Sequence, residues 1–579
     1  MDQRRLILFI AFALSLVMLW THWIEYNHPT PSAPATTSAA VPDQAAPAGT
    51  EAGDDSVPIS TNEAAATPSE SAPTAPQAAR MTVSTDVMRA EISAVGGNLV
   101  RLELLEHKTN DPNNGVIIFD NGEYTSEAES GFTVGKSDSP LPTHQTLFTL
   151  PVQDQTLAAG QDKLVLRLAA PTVGDVTVTK VMTFTRGSYI VDVAYEIDNK
   201  SAAALTAQAY FQFLHDSKPR PVEQPQTGLL KYIHKFFSGF SSVRTFIGPA
   251  FYSEEGKFQK TPFEDIAEGK AKFVTNANDG WVAMVQHYFV SAWLPADGSG
   301  REYFTTKTRK GNFTAGMKLA PVTVEPGATA TVETRLYAGP QDQNKLDGIA
   351  PGLRLVVDYG VLTVIAAPLF WLLSLLHKIF GNWGWAIIVV TIIIKAIFFP
   401  LSAASYKSMA KMRVLAPRMQ RLKELYGDDK ARMQQEMMNL YRKEKINPLG
   451  GCLPILVQIP VFIALYWVLL GSAEMRQAPW LGWIQDLSAP DPYLILPLIM
   501  GASMLIQQKL NPAPPDPMQA RIMMALPIIF TVMFLFFPSG LVLYWVVNNL
   551  LSIAQQWQIT RLIERGGNKS AKAANDPKA

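Results

Sequence analysis

Lys395 stands inside TIIIKAIFFP (391–400), part of an apolar run that extends from Trp383 to Leu401. A lysine near the centre of a bilayer costs roughly 3 kcal/mol on translocon scales, so its presence asks for a reason. Thr391 and Ser402 share its helical face at spacings of four and seven. Polar residues recur in the later apolar runs. They are Gln458 in CLPILVQIPVFIALYWVLL (452–470), and Ser503 and Gln507 in YLILPLIMGASMLIQQKL (493–510). Asn548, Ser552 and Gln555 form one further stripe, continued by Tyr544 and Trp545. A positive charge with hydroxyls and amides at similar depth would make a wet recess able to hold a polar or acidic segment of another chain. The plainer alternatives are a lysine that snorkels to the headgroups and amides that bond between helices.

Little other chemistry is visible. The chain has no Walker A sequence, HExxH, CxxC or GxSxG. Its histidines are scattered without metal-ligand spacing, so neither metal nor cofactor is expected. Carboxylates such as Glu103 and Asp216 cannot be paired into a general acid and base from sequence, and catalysis has no positive support. The single cysteine, Cys452, rules out an intramolecular disulfide, so any exported domain must be held by its core.

The elements that would position the polar groups follow from hydropathy and charge. Of 579 residues 47% are hydrophobic, and they concentrate at the two ends. LILFIAFALSLVMLW (6–20) follows MDQRR and precedes THWIEY, with Trp20 and Trp23 as interface anchors. Residues 1–26 therefore read as an uncleaved transmembrane anchor with its N-terminus in the cytoplasm. Residues 27–78, rich in Pro, Ala, Ser and Thr, form a linker. From 79 to 342 the pattern has period two, as in GDVTVTKVMTFTRGSYIVDVAYEI (174–197), which predicts a large periplasmic antiparallel β-sandwich.

Acidic and basic residues balance at 50 each, but 403–450 is strongly basic and belongs in the cytoplasm. An odd number of crossings must separate it from the sandwich. The run 355–376 holds Asp358 and Pro368 and is followed by His377 and Lys378, so 343–380 is laid in the interface. Span 381–402 then crosses inward, 451–471 outward and 493–510 inward, with a periplasmic loop at 472–492 and a cytoplasmic loop at 511–521. FPSG (537–540) splits the last run into spans 522–537 and 541–560, before a basic cytoplasmic tail at 561–579. The expectation is an α-helical polytopic membrane protein with six spans and both termini in the cytoplasm. Its polar residues lie in the inner halves, so the recess opens to the cytoplasm and is no pore.

Residues 403–426 and 429–446 read as a cytoplasmic helical hairpin around GDD. Met409, Met412 and Met419 on the first helix, and Met433 and Met437 on the second, are candidates for contact with clients or the ribosome. Thioethers give soft surfaces that suit varied apolar partners. The stripes would equally pack on each other.

These stretches carry a family resemblance. KSMAKMRVLAPRMQRLKELYGDDKARMQQEMMNLYRKEKINPLGGCLPILVQIPVFIALYWVL (407–469), RQAPWLGWIQDLSAPDPYLILP (476–497) and FPSGLVLYWVVNNL (537–550) resemble the YidC-type membrane insertases of Gram-negative bacteria. The resemblance implies a protein that inserts, folds and assembles inner-membrane proteins, alone or with the Sec translocon (SecYEG and SecDF). The implied partners are nascent membrane proteins, the ribosome and membrane lipids, with no nucleotide. It implies five core spans, an amphipathic helix before them, a hairpin needed for activity and a supersandwich-like exported domain. Lys395 matches the positive residue of the family's groove, often arginine, and Thr391 and Trp545 match groove-lining positions. Two other classes stand beside this one. A small-solute transporter needs a midplane site open to both sides. A membrane-anchored periplasmic sugar-binding or sugar-active protein needs a suitable cleft in the sandwich, and an enzyme would need paired carboxylates there.

Overall fold

The structure is a computed structural model that describes residues 79–109, 113–122, 124–134, 141–218, 246–296, 298–426, 429–444, 453–510 and 517–574. The expected anchor (1–26) and linker (27–78) lie outside the described residues, as do residues 445–452 and 511–516. The chain divides into two compact units. One is helical and takes Leu373–Phe462 and the chain from Tyr493 onward; the other takes the sheets up to Leu372 together with Ile463–Pro492.

The sheet unit is built from a ten-stranded and an eight-stranded sheet, with a two-stranded ribbon beside them. Period two explains the strands. In Val176–Thr185 the residues Val176, Val178, Lys180, Met182 and Phe184 are buried, while the threonines between them are half-buried. Ile190–Asn199 alternates likewise and pairs antiparallel with it, Val178 opposite Ile197 and Met182 opposite Val193. Thr329–Pro340 continues the sheet on the other side of Ile190–Asn199 and also pairs with Phe289–Leu294. Aromatics fill the core: Phe132 meets Tyr195 edge-on at 5.0 Å and Phe211 lies 5.1 Å from Trp293. Gly280, at φ +90°, passes so close to the Tyr252 carbonyl that a Cβ there would lie 1.8 Å from its oxygen. A short helix, α1 (Phe263–Ala267), stands among the described strands.

Beyond the last strand, Gln341 donates to the carbonyls of Gln286 and Phe289 at 2.8 and 2.9 Å. Helix α2 (Gln343–Ile349) follows, capped by the Asp342 carboxylate on the Asn344 amide. Residues of 472–492 fasten to this end of the unit. The Gln343 amide donates to Glu474 at 3.0 Å, and Arg476 and Gln477 both donate to the Lys108 carbonyl at 2.6 Å.

Helix α3 (Thr363–Phe380) follows 3₁₀ turns at Leu353–Val356 and Gly360–Leu362. Among the described residues it is the one helix that is by itself long and apolar enough to cross a membrane.

In the helical unit, α4 (Trp383–Ile397) starts at the Asn382 cap, whose side chain accepts from the Trp385 amide at 3.2 Å. A bend of 66° separates it from α5 (Phe399–Tyr426). The expected span runs unbroken through 402; Pro400 supplies the reason for the difference. It has no N–H for the Ala396 carbonyl, and its ring disfavours helical geometry before it. Ser402 therefore stands on a different helix from Lys395. Helix α6 (Lys430–Lys443) is capped by Asp429 and joined to α5 by Arg418–Glu444 at 2.9 Å and by the Tyr441 hydroxyl on the Met419 sulfur at 3.7 Å.

Helix α7 (Leu453–Gly471) is shared between the units. Helices α8 (Ile495–Leu510), α9 (Pro517–Phe534) and α10 (Ser539–Ala574) complete the helical one. FPSG separates α9 from α10. Gly501 lets α8 approach α9 closely, since a Cβ there would meet the Thr531 hydroxyl at 2.1 Å.

Candidate functional site

Helix α4 buries Ala386, Ile387, Val390, Thr391, Ile394 and Lys395, a stripe repeating at three- and four-residue intervals. Lys395 is therefore carried into the packing between α4 and α10, and only 4% of it is exposed. Its ammonium donates to the Ser552 hydroxyl on α10 at 2.7 Å. Ser552 in turn donates to the carbonyl of Asn548, one turn earlier, at 2.7 Å. Tyr406 of α5 lies beside Ser552, so three helices meet at this serine. Beside it opens a cleft of about 350 Å³, lined by Ile392, Lys395, Ala396, Phe399, Leu551 and Gln555.

Of the residues expected to share this site, Lys395, Ser552 and Gln555 come together, and Asn548 joins them through its backbone carbonyl. Thr391 is buried one turn away, its hydroxyl donating to the Ile387 carbonyl at 2.7 Å. Ser503 instead takes part in the packing of α8 on α10, accepting from the Asn549 side chain at 3.0 Å. Gln458 and Gln507 are half-buried and do not line the cleft. Tyr544 and Trp545 pack on Phe462 at ring distances of 6.0 and 4.9 Å. The Trp545 indole N–H is buried and has no hydrogen-bond partner among the described residues. Met409, Met412, Met419, Met433 and Met437 of the hairpin are all half-buried.

Three polar contributors escape the sequence pattern. Tyr406 lies beyond the bend, where helical spacing from Lys395 no longer applies. Asn549 and Gln556, seven apart, form a second polar stripe one residue out of phase with the first. Gln556 donates to the Leu510 carbonyl at 3.1 Å. The pair Asn548–Asn549 carried the signal, but only packing decides which asparagine faces α8.

The sheet unit has a larger cleft, about 560 Å³, with Glu254, Glu255, Asp279, Arg301, Glu302 and Lys318 on its wall. Arg301 is held by backbone carbonyls, among them those of Ala296 at 2.8 Å and Ser299 at 3.1 Å, and Lys318 pairs with Glu302 at 3.2 Å. Outside the apolar α-helices, burial pushes the Glu474 carboxyl up to about 7. Burial and the nearby Arg476 guanidinium hold His287 down to about 4. Among the described residues no group of histidine, cysteine and carboxylate side chains is arranged to hold a metal ion.

A large sheet domain joined to apolar helices, one of which carries a buried lysine beside a cleft, defines a class of integral membrane protein with an exported domain. The family model described as the YidC periplasmic domain matches residues 80–372, and that described as 60Kd inner membrane protein matches 375–566. A membrane protein insertase YidC of Aromatoleum aromaticum is 61% identical over 97% of this chain and 98% of its own length. One of Dechloromonas aromatica is 51% identical over the whole of both chains. The chain belongs to the YidC family of membrane protein insertases, and is an inner-membrane protein with a periplasmic domain. A crystal structure of a YidC insertase with its first transmembrane domain resolved aligns with 82% of this chain and 91% of its own, at 18% identity and a TM-score of 0.38. A galactose mutarotase-like protein of Lactobacillus casei aligns with 45% of this chain and all of its own, at 12% identity and a TM-score of 0.26.

Proposed function

We propose that this chain inserts nascent proteins into the inner membrane by lowering the cost of carrying their polar segments across. It is not an enzyme; no bond is made or broken. Family membership supports the activity, and one observation supports the route: Lys395 is buried against Ser552 at the wall of a cleft in the helical unit. A polar stretch alone in hydrocarbon meets no hydrogen-bonding partner. In the cleft it meets an ammonium and an amide instead.

In this reading six spans cross the membrane, both termini are cytoplasmic, and α3 lies in the interface to keep the crossing number odd between the sheet unit and the basic hairpin. The hairpin receives clients from the ribosome, and its methionines meet their apolar segments. The client's apolar segment leaves along α4 and α7 into lipid. Membrane potential assists an acidic client end by about 2.3 kcal/mol per charge per 100 mV. The Sec translocon and lipids are further partners.

The test is insertion of a short two-span client with an acidic tail into vesicles, comparing wild type with Lys395→Ala, Lys395→Arg and Lys395→Glu. Arg should support insertion, while Ala and Glu should lower it at equal protein levels. Equal insertion by all four would remove Lys395 from the mechanism.

A further inference from the structure

Lys395 and Gln555 face one cleft with opposite hydrogen-bonding chemistry. An ammonium has three N–H donors and no acceptor. One donor goes to Ser552, whose own proton is committed to the Asn548 carbonyl, so this serine serves the lysine purely as an acceptor. The lysine has no carboxylate partner among the described residues. The Gln555 side-chain oxygen is buried and has no hydrogen-bond partner among the described residues. The rest of the lining, Ile392, Ala396, Phe399 and Leu551, is apolar at its side chains. The cleft thus offers a strong donor and an unsatisfied acceptor within a greasy wall.

A peptide unit is the complement of that pair, with one carbonyl and one N–H. A chain that is not yet helical leaves both groups without partners in hydrocarbon. The geometry points to Lys395 and Gln555 as a binding site for the extended main chain of a client: the lysine donates to a client carbonyl while the Gln555 oxygen accepts from a client N–H. The inference rests on the insertion reading above and deepens it. Recognition becomes independent of the client's side chains. An acidic residue is then a stronger acceptor for Lys395 rather than a requirement. As the client folds into a helix it satisfies its own backbone, and the site lets go.

Gln555→Leu tests the acceptor, and a client with one backbone amide replaced by an ester tests the donor it would meet. The ester removes an N–H and keeps a carbonyl. Insertion into vesicles is measured with the full-length protein for two-span clients with acidic and with uncharged polar stretches. Gln555→Leu should slow both clients by about 5- to 10-fold, the worth of one hydrogen bond. An ester scanned through the polar stretch should slow wild type by a similar factor at one position, and should add nothing in Gln555→Leu. The ester measurement uses the unaltered protein, so misfolding cannot produce it. Wild-type rates in Gln555→Leu, or an ester penalty that is the same in both proteins, would overturn the assignment. Lys395→Ala separates the two levels. If it slows the acidic client while Gln555→Leu does not, the main-chain site falls and the insertion route stands. If it too leaves both clients at wild-type rates, the cleft is not the route, and both fall.

Discussion

Of the lysines buried among the described residues, Lys180 in the sheet unit and Lys395 in the helical unit teach different lessons. Lys180 of the sheet unit is 2% exposed, donates to the Gly96 carbonyl at 3.0 Å and lies 5.5 Å from the centre of the Tyr195 ring. Lys395 of the helical unit is 4% exposed and bonded as closely. Burial alone does not distinguish them. The surroundings do: Lys180 is packed among strands, while Lys395 lines a cleft that also holds an unsatisfied amide oxygen. A buried charge marks a site when space and an unpaired partner accompany it, and marks architecture when they do not.

The sharpest separation between the two is in pH. Burial pulls Lys180 down to about 7 from an ordinary 10.5. Between those values the unfolded chain keeps a proton that the folded unit has released, so stability rises with pH there; below 7 both states hold the proton and the slope vanishes. The slope is at most about 1.4 kcal/mol per pH unit, or roughly 2–3 kcal/mol from pH 7 to 9. Melting of the whole protein in micelles should show this rise, and Lys180→Met should flatten it. A rise that persists in the variant would make Lys180 an ordinary lysine and undo the comparison.

Function should divide the other way. Lys395→Met should lower insertion of an acidic client about tenfold, near 1.4 kcal/mol, while its melting midpoint holds. Lys180→Met should insert at the wild-type rate. Equal losses in both variants would show that burial, and not the cleft, is what matters.

A more local effect tests the clasp that holds residues 472–492 within the sheet unit. With Glu474 raised to about 7, the folded unit keeps a proton that the unfolded chain releases from about pH 4.5 upward, so Glu474 makes stability fall as pH rises to 7. His287, held near 4, acts oppositely up to its ordinary 6.5. Glu474→Gln should remove the first effect and leave the His287 rise in stability between pH 4 and 6.5, at most about 2–3 kcal/mol. An unchanged profile would mean that the Glu474 carboxyl titrates as if exposed. Smallest of all, Lys395→Arg should insert acidic clients within about threefold of wild type, since the charge survives and only the shape of the donor changes. A tenfold loss would show that Ser552 and the cleft require a compact ammonium.

The strands were legible in the sequence because a two-residue period survives packing. Val176–Thr185 and Ile190–Asn199 fall where alternation puts them. The lysine was legible as an oddity among apolar neighbours. Its surroundings were harder. Pro400 signals a break, but not a bend of 66° that brings Tyr406 to Ser552. Asn548 and Asn549 are equally polar neighbours, and the rotation of α10 against α8 alone sends the second to Ser503. Gln458 and Gln507 match the helical pattern yet stand away from the cleft lining, because polarity on a helix says nothing of its azimuth until a neighbour is fixed.

The long strand Thr329–Pro340 lies between Ile190–Asn199 and Phe289–Leu294 and runs directly into Gln341 and α2. Its ladder bonds stand across the strand. A pull on the chain beyond residue 340 therefore loads them lengthwise and together, as a shear, instead of peeling them one at a time. The sheet unit is moored at its strongest grain, and tension from the helices should leave it folded while weaker joints give way.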